Sequence, residues 1–370
     1  MNESIKPLRI GDLIVPYPII QGGMGVGISL SGLSSAVANC GGIGNIATAG
    51  IGMDEPDFYQ NYALANDRAL RNEIRTARAK SKGILGVNIM VAITNFAEAV
   101  TTSIEEGIDI IFSGAGLPMN LPEFLRPGDK TKLVPIVSSG RTAALICKRW
   151  LSRYNYLPDA FVLEGPKAGG HLGFKYEHIS DPNYSLEMLL PELIKSVKPF
   201  NDKNGRSIPI IVAGGIYTGA DIHRFLLMGA DGVQMGTRFV VTHECDASNK
   251  FKQTYIDAKK DDILVIKSPV GLPGRVIRNA FVESINRGEK APYKCPYHCI
   301  HTCDYKNSPY CIAHALVNAK RGNFKAGFAF AGTNAYRATE IISVRELFDI
   351  LIEEYKHAKM GNSIQAHCLM

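Results

Sequence analysis

The segment IPIIVAGGIYTGADIHRFLLMGADGVQMGTRFV (208–240) contains one complete repeating unit of an α/β fold. Apolar runs at IPIIVAGG (208–215) and ADGVQMGTRFV (230–240) flank TGADIHRFLLMG (218–229), whose apolar side chains fall largely on one side of a helix. Unbroken apolar character, without alternation, is typical of a parallel strand that is covered on both faces. The segment therefore predicts a strand, a helix and a second strand, with glycine near the carboxyl end of each strand.

The same pattern extends towards the N-terminus. Six earlier runs are also rich in apolar residues, and they are PIIQGGM (18–24), GGIGNIATA (41–49), ILGVNIM (84–90), DIIFSGA (109–115), KLVPIVSS (132–139) and AFVLEG (160–165). Eight strands separated by helix-like segments within roughly 220 residues predict an α/β fold of the (β/α)8 TIM barrel type, and a doubly wound open sheet is the alternative. Either fold places its ligand at the carboxyl ends of the strands.

Residues 245–370 do not continue this alternation. They predict several helices, a Cys-containing loop and a final amphipathic helix at SVRELFDILIEEYKHA (343–358). We therefore expect a cofactor-binding barrel over residues 1–244. Over residues 245–370 we expect a helical, Cys-containing C-terminal extension that packs on the barrel.

Composition and charge narrow the classes of function. The chain has 370 residues, of which 46% are hydrophobic and 21% charged, as in ordinary globular proteins. A net charge of +6 without a basic block disfavours nucleic acid as a partner. No apolar run approaches the ~20 residues of a membrane helix, and the N-terminus lacks the apolar core of a signal peptide. We expect a cytoplasmic protein without a membrane partner, and a homodimer is compatible with the sequence.

Two glycine-containing turns follow the last two predicted strands. Gly214 and Gly215 end one strand, and Gly236 and Thr237 end the next. Because glycine leaves backbone N–H groups accessible and a helix begins after each turn, the pair of turns predicts an anion site. In TIM barrels the phosphate of a cofactor commonly lies at these two loops. Two ordinary left-handed turns are the alternative.

A histidine preceded by two glycines follows the sixth strand, in LEGPKAGGHLGF (163–174). Gly169 and Gly170 precede His171 and would let a flat ring approach the main chain. The glycines of QGGMGVG (21–27) leave similar space after the first strand. A flavin would span the distance from there to the phosphate loops, and the imidazole above it could exchange a proton near neutral pH. A structural role for His171 is the alternative.

Taken together, these motifs resemble those of the nitronate monooxygenases, which share a flavin barrel with the enoyl-acyl-carrier-protein reductases II. The resemblance covers roughly residues 15–280 and rests on QGGMG (21–25), GVNIM (86–90), EGPKAGGHLG (164–173), IPIIVAGGI (208–216) and GADGVQMGTRFV (229–240). It implies a TIM barrel that holds FMN without a covalent bond, with His171 as the catalytic residue. The cofactor-binding residues expected from these motifs are Gly22, Gly23, Met24, Asn88, Glu164, Gly169, Gly170, Gly214, Gly215, Gln234, Met235, Gly236 and Thr237.

The resemblance also implies a reaction on a small-molecule substrate. Nitronate monooxygenases pass electrons from an alkyl nitronate to FMN, and O2 completes the conversion to a carbonyl compound and nitrite. The alternative is an enoyl reductase, which loads FMN from NAD(P)H and reduces an enoyl thioester. Many of the monooxygenases have Gln where this chain has Glu164, so this position does not decide between the monooxygenases and the enoyl reductases. An enzyme of the IMP dehydrogenase type is excluded, because the loop after the sixth strand contains no cysteine.

A separate motif, KCPYHCIHTCDYKNSPYC (294–311), carries four cysteines, which are Cys295, Cys299, Cys303 and Cys311. Four thiolates could bind Zn2+ or an iron–sulfur cluster, or sense redox state. On a helix, however, the first three would share one face and pack as small apolar side chains. We expect packing, and the alternative is a flavin- or metal-binding regulatory protein. Cys368, third from the end, is expected in an unstructured tail.

Two arginines in GLPGRVIRNAF (271–281) are further candidates. Arg275 and Arg278 lie in a glycine-containing loop and could hold a nitro group or a cofactor phosphate. A solvated helix start is the alternative for this segment.

Overall fold

The computed structural model describes residues 5–291 and 293–367, so Cys368 lies outside the described residues. Within these ranges the strands are β1 (Leu8–Ile10), β2 (Leu13–Val15), β3 (Ile19–Gln21), β4 (Gly44–Ala47), β5 (Leu85–Met90), β6 (Ile110–Gly114), β7 (Lys132–Val137), β8 (Phe161–Glu164), β9 (Gly170–His171), β10 (Ile210–Ala213), β11 (Gly232–Met235), β12 (Ile263–Lys267) and β13 (Pro273–Ile277). The α-helices are α1 (Ser31–Asn39), α2 (Tyr62–Lys80), α3 (Phe96–Glu105), α4 (Gly140–Tyr154), α5 (Leu186–Asn204), α6 (Gly219–Leu227), α7 (Thr237–Val240), α8 (Asn249–Asp257), α9 (Ala280–Asn286), α10 (Ile312–Lys320) and α11 (Val344–His367).

Eight of the strands form a closed parallel barrel. Their order is β3-β11-β10-β8-β7-β6-β5-β4, and a parallel bridge between Ile20 and Ile43 joins the two ends of this series. All eight lie within the apolar runs that the sequence predicted as strands. The prediction of a TIM barrel is confirmed, and the open sheet is excluded.

The N-terminal hairpin β1–β2 covers the amino-terminal end of the barrel. Leu8 and Val15 belong to one buried cluster with barrel-interior side chains such as Phe112. At the start of β7, Lys132 forms an ion pair with Asp12 in the hairpin turn, with 2.5 Å between Nζ and Oδ1. Because this end is closed, a ligand site is left to the carboxyl ends of the strands.

Helices surround the barrel, as the sequence predicted, with one exception. Between β6 and β7 the structure has a 3-10 turn at Leu121–Phe124 and no α-helix. Pro118, Pro122 and Pro127 fall in this connection, and each removes a backbone donor that a helix would need. No helix in the described ranges has an apolar stretch long enough to cross a bilayer.

The C-terminal region contributes to the barrel in two ways. Helix α11 packs against α6 and α1, so it occupies the position of the last outer helix. Strands β12 and β13 form an antiparallel hairpin that extends to β9, with Gly274 opposite His171 and Arg275 opposite Gly170. The sequence predicted helices here and missed this hairpin. The division of the chain at residue 244 stays a prediction.

Candidate active site

A cavity of about 550 Å3 lies at the carboxyl ends of the barrel strands. It is lined by the turns after β3, β5, β8, β10 and β11. Every residue predicted to bind the cofactor or act on the substrate lines it, namely Gly22, Gly23, Met24, Asn88, Glu164, Gly169, Gly170, His171, Gly214, Gly215, Gln234, Met235, Gly236 and Thr237. The structure therefore brings all of these residues together, while their roles stay predictions.

Glycines keep parts of the cavity wall free of side chains. Gly214 and Gly215 have φ angles of 96° and 90°, a region that other residues rarely adopt. A Cβ atom on Gly215 would lie 3.0 Å from the Cβ of Lys167. At the opposite turn, a Cβ on Gly23 would lie 2.2 Å from the Cβ of Asn88. A larger residue at either position would displace its neighbours, so the backbone itself forms the wall.

Two residues that line the cavity, Gln234 and Tyr297, each have a buried polar atom without a hydrogen-bond partner among the described residues. Among the described residues, the Oε1 atom of Gln234 makes no hydrogen bond, although the side chain is buried and lines the cavity. Leaving a buried acceptor unpaired costs about 1–3 kcal/mol. Gln234 is therefore suited to accept a hydrogen bond from a ligand N–H group.

His171 is held from two sides above this cavity. Its Nε2 atom lies 2.7 Å from the hydroxyl oxygen of Ser268, and its ring meets that of Phe330 edge to face at 5.0 Å. The imidazole faces the cavity rather than bulk water, and this burial lowers its pKa to about 4. The ring is therefore neutral at physiological pH, in the form that can accept a proton.

Glu164 ends β8 and faces the same cavity. Burial raises the pKa of its carboxyl group to about 7, because the low-polarity surroundings disfavour the charged form. Near neutral pH this group therefore changes between a neutral acid, which can donate a hydrogen bond, and an anion.

Part of the cavity wall comes from GFAFAGTN (327–334), which the sequence analysis missed. In this segment the N–H of Gly332 donates to Thr237 Oγ1 at 3.2 Å, and Asn334 Nδ2 donates to the carbonyl of Gly215 at 2.8 Å. The segment thus supports both predicted phosphate turns. In this segment glycine or alanine alternates with aromatic residues, a two-residue period that is typical of extended chain and not of a helix. This alternation was the signal available in the sequence.

A model of the nitronate monooxygenase family matches residues 7–354 of the chain. The chain belongs to the nitronate monooxygenase family. The resemblance seen in the sequence is thereby confirmed, and so is the prediction that the protein is an oxidoreductase.

Two curated relatives of this family member differ in the reaction that their names give. A dehydrogenase of Mycobacterium tuberculosis that acts on (3aS,4S,5R,7aS)-5-hydroxy-7a-methyl-1-oxo-octahydro-1H-indene-4-carboxyl-CoA is 28% identical over 277 residues, which are 75% of this chain and 67% of the relative. A probable nitronate monooxygenase of Staphylococcus saprophyticus is 26% identical over 299 residues, which are 75% of this chain and 79% of the relative.

Two solved structures share the fold of this chain. FabK from Thermotoga maritima superposes with a TM-score of 0.73 at 26% identity, covering 95% of this chain and 96% of FabK. A nitroalkane oxidase from Streptomyces ansochromogenes superposes with a TM-score of 0.71 at 21% identity, covering 94% of this chain and 98% of the oxidase. At that identity the second likeness shows the fold alone.

Neither candidate arginine lines the cavity of this family member, so neither is placed to hold a substrate. Arg275 is buried in β13, and its guanidinium donates to the carbonyls of Pro166, at 2.7 Å, and of Ala168. It therefore fixes the loop that leads to His171. Arg278 is partly exposed and donates to the carbonyl of Asp261 at 3.0 Å.

Replacing Arg275 by methionine is expected to lower the free energy of unfolding by about 2 kcal/mol, because two buried carbonyls lose their donor. Urea denaturation of the two proteins measures this. Arg278→Met is the matched control and should change the stability by less than about 0.5 kcal/mol, since its contacts are exposed. Equal losses in the two variants would contradict the anchoring role of Arg275.

The cysteine motif has the loop conformation that the sequence predicted. Residues 293–311 form a loop, in which Pro296 restricts the preceding residue and His298 adopts a left-handed φ of 45°. The four cysteines nonetheless meet, because Cys295, Cys299, Cys303 and Cys311 line one small cavity, which we call the thiol pocket. Within the described ranges, no three His, Cys, Asp or Glu side chains are arranged to hold a metal ion.

Proposed function

We propose that this protein is an FMN-dependent nitronate monooxygenase, which oxidises alkyl nitronates with O2 to a carbonyl compound and nitrite in the cytoplasm. The observation that carries the proposal is the single cavity in which a neutral His171 faces both glycine-lined turns. Membership of the nitronate monooxygenase family supports it.

The residues present suit FMN. The turns at Gly214–Gly215 and Gly236–Thr237 offer backbone N–H groups for the phosphate, and the turn at Gly22–Gly23 leaves room for the ring. The unpaired Oε1 of Gln234 would accept a hydrogen bond from the flavin ring. When bound, FMN supplies a reversible acceptor for the electrons of the nitronate.

The protein's own residues would orient the substrate and move its proton. His171, held by Ser268, would accept the proton from the carbon of a neutral nitroalkane, or donate a hydrogen bond to a nitronate that is already an anion. Phe330 shields the ring from water on one side. Below about pH 7, a neutral Glu164 leaves the cavity without a competing negative charge, which favours an anionic substrate.

The pKa of Glu164 predicts how the activity depends on pH. Above about pH 7 the carboxyl group becomes an anion and repels the nitronate, so kcat/KM should fall by about tenfold as pH rises from 6 to 9. Glu164→Gln should remove this fall, because an amide does not ionise. Glu289→Gln, at an exposed site, is the control and should keep the wild-type profile. A fall that persists in Glu164→Gln would assign it to another group.

A second candidate is oxidation or reduction of an acyl thioester. It is favoured by the name of the Mycobacterium tuberculosis relative, a dehydrogenase of a carboxyl-CoA compound. A cavity of about 550 Å3 is large enough for part of such a substrate beside a flavin.

Rapid mixing without oxygen separates the two candidates. The FMN-loaded protein is mixed either with an alkyl nitronate or with NAD(P)H, and the flavin absorbance is followed. Bleaching by the nitronate alone supports the monooxygenase. Bleaching by NAD(P)H, followed by reoxidation with an enoyl thioester, would replace it with the reductase. A flavin that responds to neither reagent would favour a regulatory protein.

A further inference from the structure

The thiol pocket is separate from the cofactor cavity but shares a wall with it. Cys299 and Ile300 line both spaces. The loop that carries them is fixed to the turn after β5, where Thr94 N–H donates to the carbonyl of Cys299 at 3.1 Å and His301 N–H donates to that of Ala92 at 2.9 Å. The position of the pocket is therefore set by the barrel.

The four thiols lie together around one cavity, because Cys295, Cys299, Cys303 and Cys311 all line the thiol pocket. All four are free and none is fully buried, unlike the packed thiols Cys40 and Cys147. Partial exposure argues against a role as apolar packing.

A backbone donor already points at one of the sulfur atoms. The N–H of His298 donates to the Sγ of Cys295 at 3.2 Å, and its left-handed φ of 45° aims it there. Hydrogen bonds from amides to sulfur are typical of protein iron–sulfur sites, where they tune the cluster.

Among the residues that the structure describes, the four thiols line one pocket without forming the group that a single metal ion would need. A single Zn2+ would hold each sulfur at about 2.3 Å, yet the described side chains form no such group. An iron–sulfur cubane takes four cysteine thiolates, one on each iron, spread around a wider body. Tyr293, Tyr305 and Tyr310 complete the wall of the pocket and would limit access of water.

We infer that the thiol pocket binds a 4Fe–4S cluster, with one cysteine thiolate on each iron. This site lies beside the cofactor cavity, goes beyond the proposed oxidation of nitronates and does not depend on it. Two ferrous ions, two ferric ions and four sulfide ions form a core of charge +2, and the four thiols lose their protons to the solvent as they bind it.

Metal analysis of the full chain, purified without oxygen and reconstituted with ferrous iron, ferric iron and sulfide, tests the inference. We expect about four iron and about four acid-labile sulfide ions per chain, and an electron paramagnetic resonance signal after reduction with dithionite. A folded protein that takes up no iron, or that holds one zinc ion per chain instead, would overturn the inference. The readouts do not involve nitronate turnover, so failure of the proposed function leaves them unchanged.

Two variants locate the cluster. Cys303→Ala removes one ligand and is expected to lose most of the iron and the resonance signal. Cys40→Ala, at a buried thiol outside the pocket, should keep both. Circular dichroism shows whether each variant is folded. If folded Cys303→Ala retains the wild-type iron, sulfide and signal, the thiol pocket is not the site.

Discussion

Replacement of His171 by alanine is expected to lower kcat for a neutral nitroalkane by about 100- to 10,000-fold, the usual contribution of a general base. The imidazole faces the cavity, is neutral because burial lowers its pKa to about 4, and is oriented by Ser268. Alanine leaves no group at this position that can accept the proton. Steady-state oxygen consumption with a nitroalkane measures the loss.

The same variant has internal controls. With a nitronate prepared beforehand, the proton is already gone, so the loss should be less than about tenfold. The FMN content should stay at the wild-type level, because the phosphate turns are untouched. His178→Ala, in the same loop but stacked on Tyr184 outside the cavity, should retain full activity. Unchanged turnover of the nitroalkane in His171→Ala would remove His171 from the mechanism.

Replacement of Gly215 by aspartate should weaken the binding of FMN by about 1,000-fold, or about 4 kcal/mol. The new side chain would start 3.0 Å from the Cβ of Lys167, at a φ of 90° that favours glycine. Its carboxylate would stand where the phosphate is expected, and facing like charges cost several kcal/mol. Titration of the flavin-free protein with FMN, followed by flavin fluorescence, measures the affinity.

Gly128→Asp is the matched control for this variant. Gly128 also has a positive φ, of 98°, but nothing lies within 4 Å of a Cβ placed there. Gly128→Asp introduces the same charge and a similar backbone strain far from the cavity, so FMN should bind as in the wild type. If Gly215→Asp binds FMN as tightly as Gly128→Asp does, the phosphate does not lie at this turn.

The barrel could be predicted because its strands carry a local signal. A run such as IPIIVAGG is apolar on both faces, since each strand of the barrel is covered inside and outside, and it stops at glycines. The turns that line the cavity follow these strands directly. Once the order of the strands implies a barrel, the site residues next to them are placed at one end of it.

Residues from the C-terminal region could not be placed in this way. Phe330 and Gly332 meet the cavity through contacts between distant parts of the chain, and the alternation in their segment does not show which part of the barrel it contacts. The hairpin β12–β13 was missed because its pairing with β9 decides its conformation as much as its own residues do. The cysteine motif was predicted as a loop, and Pro296 and the left-handed His298 are incompatible with the helix on which its first three cysteines would share one face.

The pairing of β9 with β13 has a consequence for protein engineering. The dipeptide Gly170–His171 is positioned by a hairpin that lies about 100 residues further along the chain. Insertions or deletions in that hairpin would reposition the imidazole without altering the turns at Gly214–Gly215 and Gly236–Thr237. The reactivity of the cavity can therefore be redesigned through a peripheral ribbon, with the barrel left intact.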